Sequence, residues 1–291
     1  MDHPNIIKLR ALAVGGTSSF GDGKNDGYFL VLDHLDDTLS HQIQRWISEE
    51  QHYPSKVGGL SIRHYAEKVR YASQIASALD YLHQRDIMYR DLKPDNVGIK
   101  NGAIQLFDFG LCRELPEEMP DKNSNSVFKM SGCGTRRYMA PEVALNCPYN
   151  LKADVYSFSI VLHEMMSLQK PYEMYNSEVH QYLVCEGGKR PEIDVNWPKQ
   201  LQDLLRSSWA SSPSDRPSME QLCDQLERMA SPGGNKTFKL EYKPSLFGLR
   251  STHRAISNFL EAFKTSIVDM TSTTTLSISL SDASAVKTTD D

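Results

Sequence analysis

The sequence predicts an α+β fold, with a few strands near its start and a body that is mostly helical. Three observations carry that reading. Two short apolar runs rich in β-branched residues, "NIIKLRALAV" and "YFLVLDHL", flank the Gly/Ser/Asn/Asp-rich stretch "GGTSSFGDGKNDG". From residue 61 onward the apolar positions recur instead at spacings of three and four. Residues 154–167, "DVYSFSIVLHEMMS", are apolar nearly all round, as in a helix buried at the centre of a domain.

Each element follows from local pattern. The two opening runs make a hairpin with a long connection. "DDTLSHQIQRWI" comes next, then a polar insertion, "SEEQHYPSKVGG". Val69, Ala72, Ala76, Leu79 and Leu82 mark a helix over 61–83. Leu201, Leu204 and Leu205 mark another. Ser218 and Gln221 have capping-box spacing, opening a helix whose stripe is Met219, Leu222, Cys223, Leu226 and Met229. Composition shifts at "SPGGNK". The Ser/Thr-rich end, "TSTTTLSISLSDASAVKTTDD", reads as disordered low complexity. Within this tail, Ile256, Phe259, Leu260, Phe263 and Ile267 give residues 252–268 one apolar face. Such a helix either packs on its own domain or binds a protein partner.

Composition narrows the function classes. A charge sum of −5 does not suggest a nucleic-acid binder, because phosphate backbones call for clustered Lys and Arg. Five dispersed cysteines without a CxxC argue against a disulfide framework or zinc site and suit a reducing, cytoplasmic setting. No apolar run approaches the length of a membrane span, and the first residues do not read as a signal peptide.

The chemistry concentrates in "IMYRDLKPDNVGI", residues 87–99, and in "LFDFG" downstream. A hydroxyl attacking a phosphate needs a carboxylate to orient it and accept its proton. It also needs hard oxygen ligands for Mg²⁺ and a cation facing the moving phosphoryl group. Asp91, the pair Asn96 and Asp108, and Lys93 can supply these in turn. Taken singly, an Asp in a turn is more often a cap or a solvated side chain; the joint spacing argues otherwise.

"YRDLKPDN", "DFG", "GTRRYMAPE", "DVYSFSIVLHEM" and "DRPSM" occur in the order and at the spacings of eukaryotic protein kinases, and the chain resembles that family over residues 2–229. The resemblance implies a protein-kinase-like fold: a remnant of the small lobe and the hinge over 1–35, the helical lobe over 36–230, and a tail over 231–291. It implies Asp91 as catalytic base, Lys93 on the transferring phosphate, and Asn96 and Asp108 on Mg²⁺. Arg90 would receive a phosphate on the activation segment, with Ser124, Ser126 and Ser131 as candidate phosphosites. Thr135 would help position the protein substrate. Leu32, Asp33, Leu35 and Gly98 would line the ATP site. Gly110 is structural, Glu142 should pair with Arg216, and Asp154 should cap the catalytic loop. Lys93 and Thr135 match the Ser/Thr-specific pattern. The last two motifs look most like the tyrosine-kinase-like branch.

Three positions depart from the family pattern. Tyr89 stands where the family has His, a site of apolar packing and one hydrogen bond that tyrosine can fill. Gly98 replaces the apolar side chain that forms the floor under adenine, so ATP is expected to bind more weakly. The glycine-rich loop, third-strand lysine and helix glutamate precede "HPNI" in the family. Here "HPNI" begins at His3, no GxGxxG occurs, and neither Lys8 nor Lys24 matches the ATP-binding lysine. The expectation is a kinase lacking most of its small lobe, with low phosphotransfer by this polypeptide alone. Its two orphaned strands should expose edges and apolar surface. The alternative is a catalytically weak, pseudokinase-like binding or scaffold module.

Overall fold

The chain opens with β1 (Leu9–Val14) and β2 (Tyr28–Leu32), an antiparallel pair in which Leu12 faces Leu30 and Leu9 faces Leu32. The structure is a computed structural model that describes residues 2–14, 28–54, 56–57, 60–61, 63–116 and 126–230. These all belong to the first of the chain's two units, Met1–Phe247. The tail, with the expected helix over 252–268, lies outside the described residues, as does the hairpin connection over 15–27. Among the described residues β1 and β2 pair only with each other. Leu9, Leu12 and Leu30 are each more than half exposed, so the hairpin does present apolar surface.

The short strand β3 (Asp37–Thr38) leads into α1 (Leu39–His52). The sequence reading left this helix unassigned, although its signals are local. The Thr38 hydroxyl caps the His41 N–H, and Leu39, Ile43 and Trp46 form a buried stripe. The helix also runs into the polar insertion, where β4 (Lys56–Val57) pairs with β5 (Leu60–Ser61). Buried Lys68 and Glu50 both bond the Ser61 hydroxyl there, each at 2.9 Å. The next helix, α2 (Tyr65–His83), begins four residues later than its periodicity suggested, because 60–61 are taken into that strand pair.

Then come β6 (Ile87–Met88), a 3₁₀ turn (Pro94–Asn96), β7 (Val97–Lys100), β8 (Ala103–Leu106) and β9 (Arg113–Glu114). Strands β3, β7 and β8 form one antiparallel sheet, and β9 returns to pair with β6. The β7–β8 turn is Asn101-Gly102, both at positive φ, the combination a two-residue hairpin demands. The segment around "HPNI" lies along β8: Ile7 N–H donates to Leu106 O at 3.0 Å, and Leu106 N–H to Asn5 O at 2.8 Å.

After the short α3 (Pro141–Ala144), α4 (Lys152–Ser167) runs through the middle of the helical body, buried from Ala153 to Ser167. It packs against α2 on one side and α6 (Lys199–Ser208) on another. Before α6, α5 (Ser177–His180) continues into a π-helical turn (Gln181–Glu186). The last helix among the described residues, α7 (Met219–Ala230), packs along α2. The Ser218–Gln221 capping box forms in both directions, at 2.9 and 3.2 Å. No helix among the described residues is long and apolar enough to cross a membrane.

Helix α4 buries Glu164, whose carboxylate accepts the Tyr138 hydroxyl at 2.8 Å. Burial pushes its pKa up to about 7, and the Tyr138 bond only partly opposes this. A carboxyl raised above its unfolded value favours the fold while neutral. That contribution is complete below about 4.5 and is lost as pH rises to about 7. Glu164→Gln should therefore flatten the pH dependence of stability. Urea melts at about pH 5 and pH 8 should show wild type losing roughly 2–3 kcal/mol more than the variant.

Candidate active site

The loop over residues 89–96 follows β6 and is anchored by α4. Asp154, 1% exposed, accepts the Tyr89 N–H at 2.8 Å, the Arg90 N–H at 2.9 Å and a bond from His83 Nε2 at 2.9 Å. These anchors hold Arg90 at φ 73°, a conformation a non-glycine residue adopts only when its surroundings enforce it. Tyr89 is fully buried. Its hydroxyl donates to Phe107 O and its ring meets Phe109 edge-on at 5.6 Å, which ties the loop to the "DFG" segment. Tyrosine thus fills its position through packing and a hydrogen bond.

Donors converge on the Asp91 carboxylate. Oδ2 accepts from Lys93 Nζ at 2.8 Å and Asn96 Nδ2 at 3.1 Å, while Oδ1 accepts the Thr135 N–H and hydroxyl, both at 2.8 Å. Lys93 Nζ also reaches Thr135 Oγ1 at 3.1 Å. Burial alone would raise the Asp91 pKa; the bonds from Lys93 and Thr135 outweigh it and hold the group below its ordinary value. The carboxylate is ionised at neutral pH. The approach of Thr135 depends on Gly134, at φ 107°, where a Cβ would lie 2.5 Å from Arg90 O.

The Phe107 N–H donates to Asn96 O at 3.2 Å, which ties the residue before Asp108 to Asn96. Both Asn96 amide hydrogens point to Asp91, at its backbone carbonyl (3.0 Å) and its carboxylate, which leaves the amide oxygen as acceptor. Asp108 is exposed, with Oδ1 3.3 Å from the Gly110 N–H. Two hard oxygen donors beside an open cleft fit Mg²⁺, which keeps waters and phosphate oxygens as its other ligands. Among the described residues no cluster of three His, Cys, Asp or Glu could hold a metal unaided.

Leu32 ends β2, and Asp33 and Leu35 belong to the link between β2 and β3. Asp33 is bonded to Arg10 and to Lys100 Nζ (2.8 Å), and both hold its carboxyl well below the usual range. At Gly98, which offers no side chain as a floor, the space is not empty. A Cβ built there would meet Leu35 Cδ1 at 2.5 Å and Cδ2 at 2.8 Å, so Leu35 already occupies the space.

The activation segment is pinned further along. Arg216, 1% exposed, grips Glu142 through its two terminal guanidinium nitrogens at 2.6 and 2.9 Å and donates from Nε to Ala210 O. Of the candidate phosphosites, Ser124 lies outside the described residues. Ser126 accepts through its carbonyl from Asn150 Nδ2 at 3.1 Å, and exposed Ser131 gives its carbonyl to Arg90 Nη2 at 2.7 Å. Sequence reading missed three partners: His83 beneath Asp154, Leu35 over Gly98, and Tyr149, whose hydroxyl meets Arg90. None carries a local signal, since each arrives from a distant element.

A helical body presenting a carboxylate with a lysine, an asparagine and a threonine, and a second acid nearby, defines a phosphotransferase-like site. The protein kinase domain family matches residues 1–226, and the chain belongs to that family. It aligns with serine/threonine-protein kinase Nek5 of Mus musculus at 31% identity, over 76% of this chain and 31% of the relative. It aligns with a putative mitogen-activated protein kinase kinase kinase 7-like protein of Drosophila melanogaster at 30%, over 82% and 56%. With serine/threonine-protein kinase STY46 of Arabidopsis thaliana the identity is 33%, over 57% and 28%. Two of these relatives are serine/threonine-protein kinases. The chain spans between about a quarter and about half of each of these relatives.

The contact between Leu35 and Gly98 is testable by a double-mutant cycle. Gly98→Ala and Leu35→Ala should couple, the double variant losing about 1 kcal/mol less than the sum of the singles in denaturant melts. Additive losses would show that the two do not touch.

Proposed function

We propose that this chain is the helical lobe and hinge of a protein serine/threonine kinase, acting on Ser and Thr hydroxyls of proteins. The observation that carries the reading is the convergence of Lys93, Asn96 and Thr135 on the ionised Asp91. Family members generally use ATP and Mg²⁺. When bound, Mg²⁺–ATP supplies the γ-phosphoryl group, with the metal offsetting charge between the β- and γ-phosphates. Asp91 orients the substrate hydroxyl and takes up its proton as the new O–P bond forms and the bond to the ADP oxygen breaks. With its pKa held low, Asp91 acts chiefly by orientation and charge. Lys93 places a cation beside the transferring group. Thr135 links substrate positioning to the catalytic carboxylate. Asn96 and Asp108 offer oxygen ligands to Mg²⁺. Leu32, Asp33, Leu35 and Gly98 would line the site of the base. A cytoplasmic setting is part of the proposal, supported by five unpaired cysteines.

Two readouts test this on the purified chain. A fluorescent ATP analogue should bind in the presence of Mg²⁺, and Asp108→Ala should weaken it. Labelled γ-phosphate should pass only slowly to Ser/Thr peptides and not to Tyr peptides, and Asp91→Asn should lower that slow rate by about 10²-fold or more. Transfer to tyrosine, or full activity in Asp91→Asn, would overturn the proposal. Nucleotide binding without transfer would favour the binding-module alternative.

A further inference from the structure

Residues 149 and 150, just before α4, receive the activation segment on one line. Tyr149 and Phe128 exchange backbone hydrogen bonds at 2.9 and 3.0 Å, and Asn150 Nδ2 donates to Ser126 O at 3.1 Å. The Tyr149 hydroxyl sits at the far end of this line. It donates to Ser131 O at 2.9 Å and accepts from Arg90 Nη2 at 2.8 Å; the same nitrogen donates to Ser131 O at 2.7 Å. Arg90, Tyr149 and the Ser131 carbonyl form a closed triangle. Both Nη2 hydrogens are used, and Nη1 reaches Leu111 O at 3.4 Å. The guanidinium also lies over the Tyr149 ring, 5.8 Å from its centroid.

We propose that Tyr149 is a positioning residue that clasps Arg90 to the activation segment through a neutral hydroxyl, so that registry of the segment with Asp91 does not require a phosphate on it. Each link is short. Arg90 precedes Asp91, Ser131 precedes Gly134 and Thr135 by a few residues, and Thr135 closes the loop by donating twice to Asp91. A phosphoserine could take the Nη2 hydrogens only by displacing the Tyr149 hydroxyl or the Ser131 carbonyl. Tyr149 is 1% exposed, and burial raises its phenol pKa, so the hydroxyl stays protonated across the physiological range. The inference rests on the kinase reading for what Asp91 does, but the geometry it concerns can be measured without phosphotransfer.

Cys133, between Ser131 and Thr135, is a built-in reporter. It is half-buried beside Arg90, and burial pushes its thiol pKa up despite the opposing guanidinium, so labelling reports opening of the segment. The experiment measures labelling of Cys133 by a thiol reagent in the 291-residue chain, resolved from the other cysteines by peptide mass spectrometry. Tyr149→Phe keeps the ring and frees one Nη2 hydrogen. Labelling should rise by about tenfold or more, the scale of a lost hydrogen bond to a charged group. Excess inorganic phosphate should then slow it again by binding the freed guanidinium. Wild type should be indifferent both to phosphate and to prior phosphatase treatment.

Faster labelling of wild type after phosphatase, or slower labelling on adding phosphate, would overturn the proposal, and neither arm needs a variant to fold. A Tyr149→Phe chain that labels like wild type would overturn it too. So would one that labels faster yet ignores phosphate, since the hydroxyl would then serve packing alone. Loss of phosphotransfer with these labelling results intact would count against the kinase reading and not against the clasp.

Discussion

Everything at the site hangs on the Asp154 carboxylate. A charge buried this deeply would be costly if its oxygens lacked donors. Here two successive backbone N–H groups and a histidine satisfy them, at 2.8 to 2.9 Å. The same bonds offset the strain of Arg90 at positive φ, of order 1 kcal/mol or more. With that residue turned, Arg90 projects towards the activation segment while Asp91 projects into the cleft towards Thr135. One carboxylate on the most buried helix thus fixes the directions of the two side chains that the rest of the site addresses.

The segment from residue 126 to 142 is held by interactions of different kinds, and the difference matters. Near its start the contacts are backbone bridges to Tyr149 and the Arg90 guanidinium shared between the Tyr149 hydroxyl and the Ser131 carbonyl. At Thr135 they are charge-assisted bonds to Asp91. At Glu142 there is a buried two-pronged ion pair with Arg216, and removing either partner would strand a charge. Bonds to the ionised Asp91 weaken only if pH falls through its depressed pKa; the sheltered Glu142–Arg216 pair is little screened by salt.

The sequence made the helical body legible because its helices carry strong periodicity or caps: the all-round apolar run in α4, the stripe in α2, the capping box of α7. Helix α1 escaped because its stripe begins straight after a two-residue strand, within a charged stretch. The motifs marked Asp91, Lys93, Asn96 and Thr135, which do meet, since each sits at fixed spacing within a short motif. What could not be read was any partner supplied by a distant element. His83 reaches Asp154 from the end of α2, and Tyr149 reaches Arg90 across 59 residues. Pairings of that kind depend on how the helices pack, and no local periodicity encodes them.

Gly98 shows why a single position can mislead. Read alone, a glycine in place of an apolar side chain subtracts a surface. In three dimensions the missing Cβ is the condition for Leu35 to settle against β7, since a side chain at 98 and Leu35 in its present place exclude each other. The backbone around them is fixed independently: the Asp36 N–H donates to Ile99 O at 2.8 Å, and Asp33 is tied to Lys100. The link between β2 and β3 is therefore held close to β7 whichever residue provides the apolar cover. Small at 98 and large at 35 is one solution to filling a fixed gap. The reverse arrangement is another, and it would demand a smaller residue at 35. The volume above β7 is thus a property of the pair, and a change at either position acts on the cleft through the other.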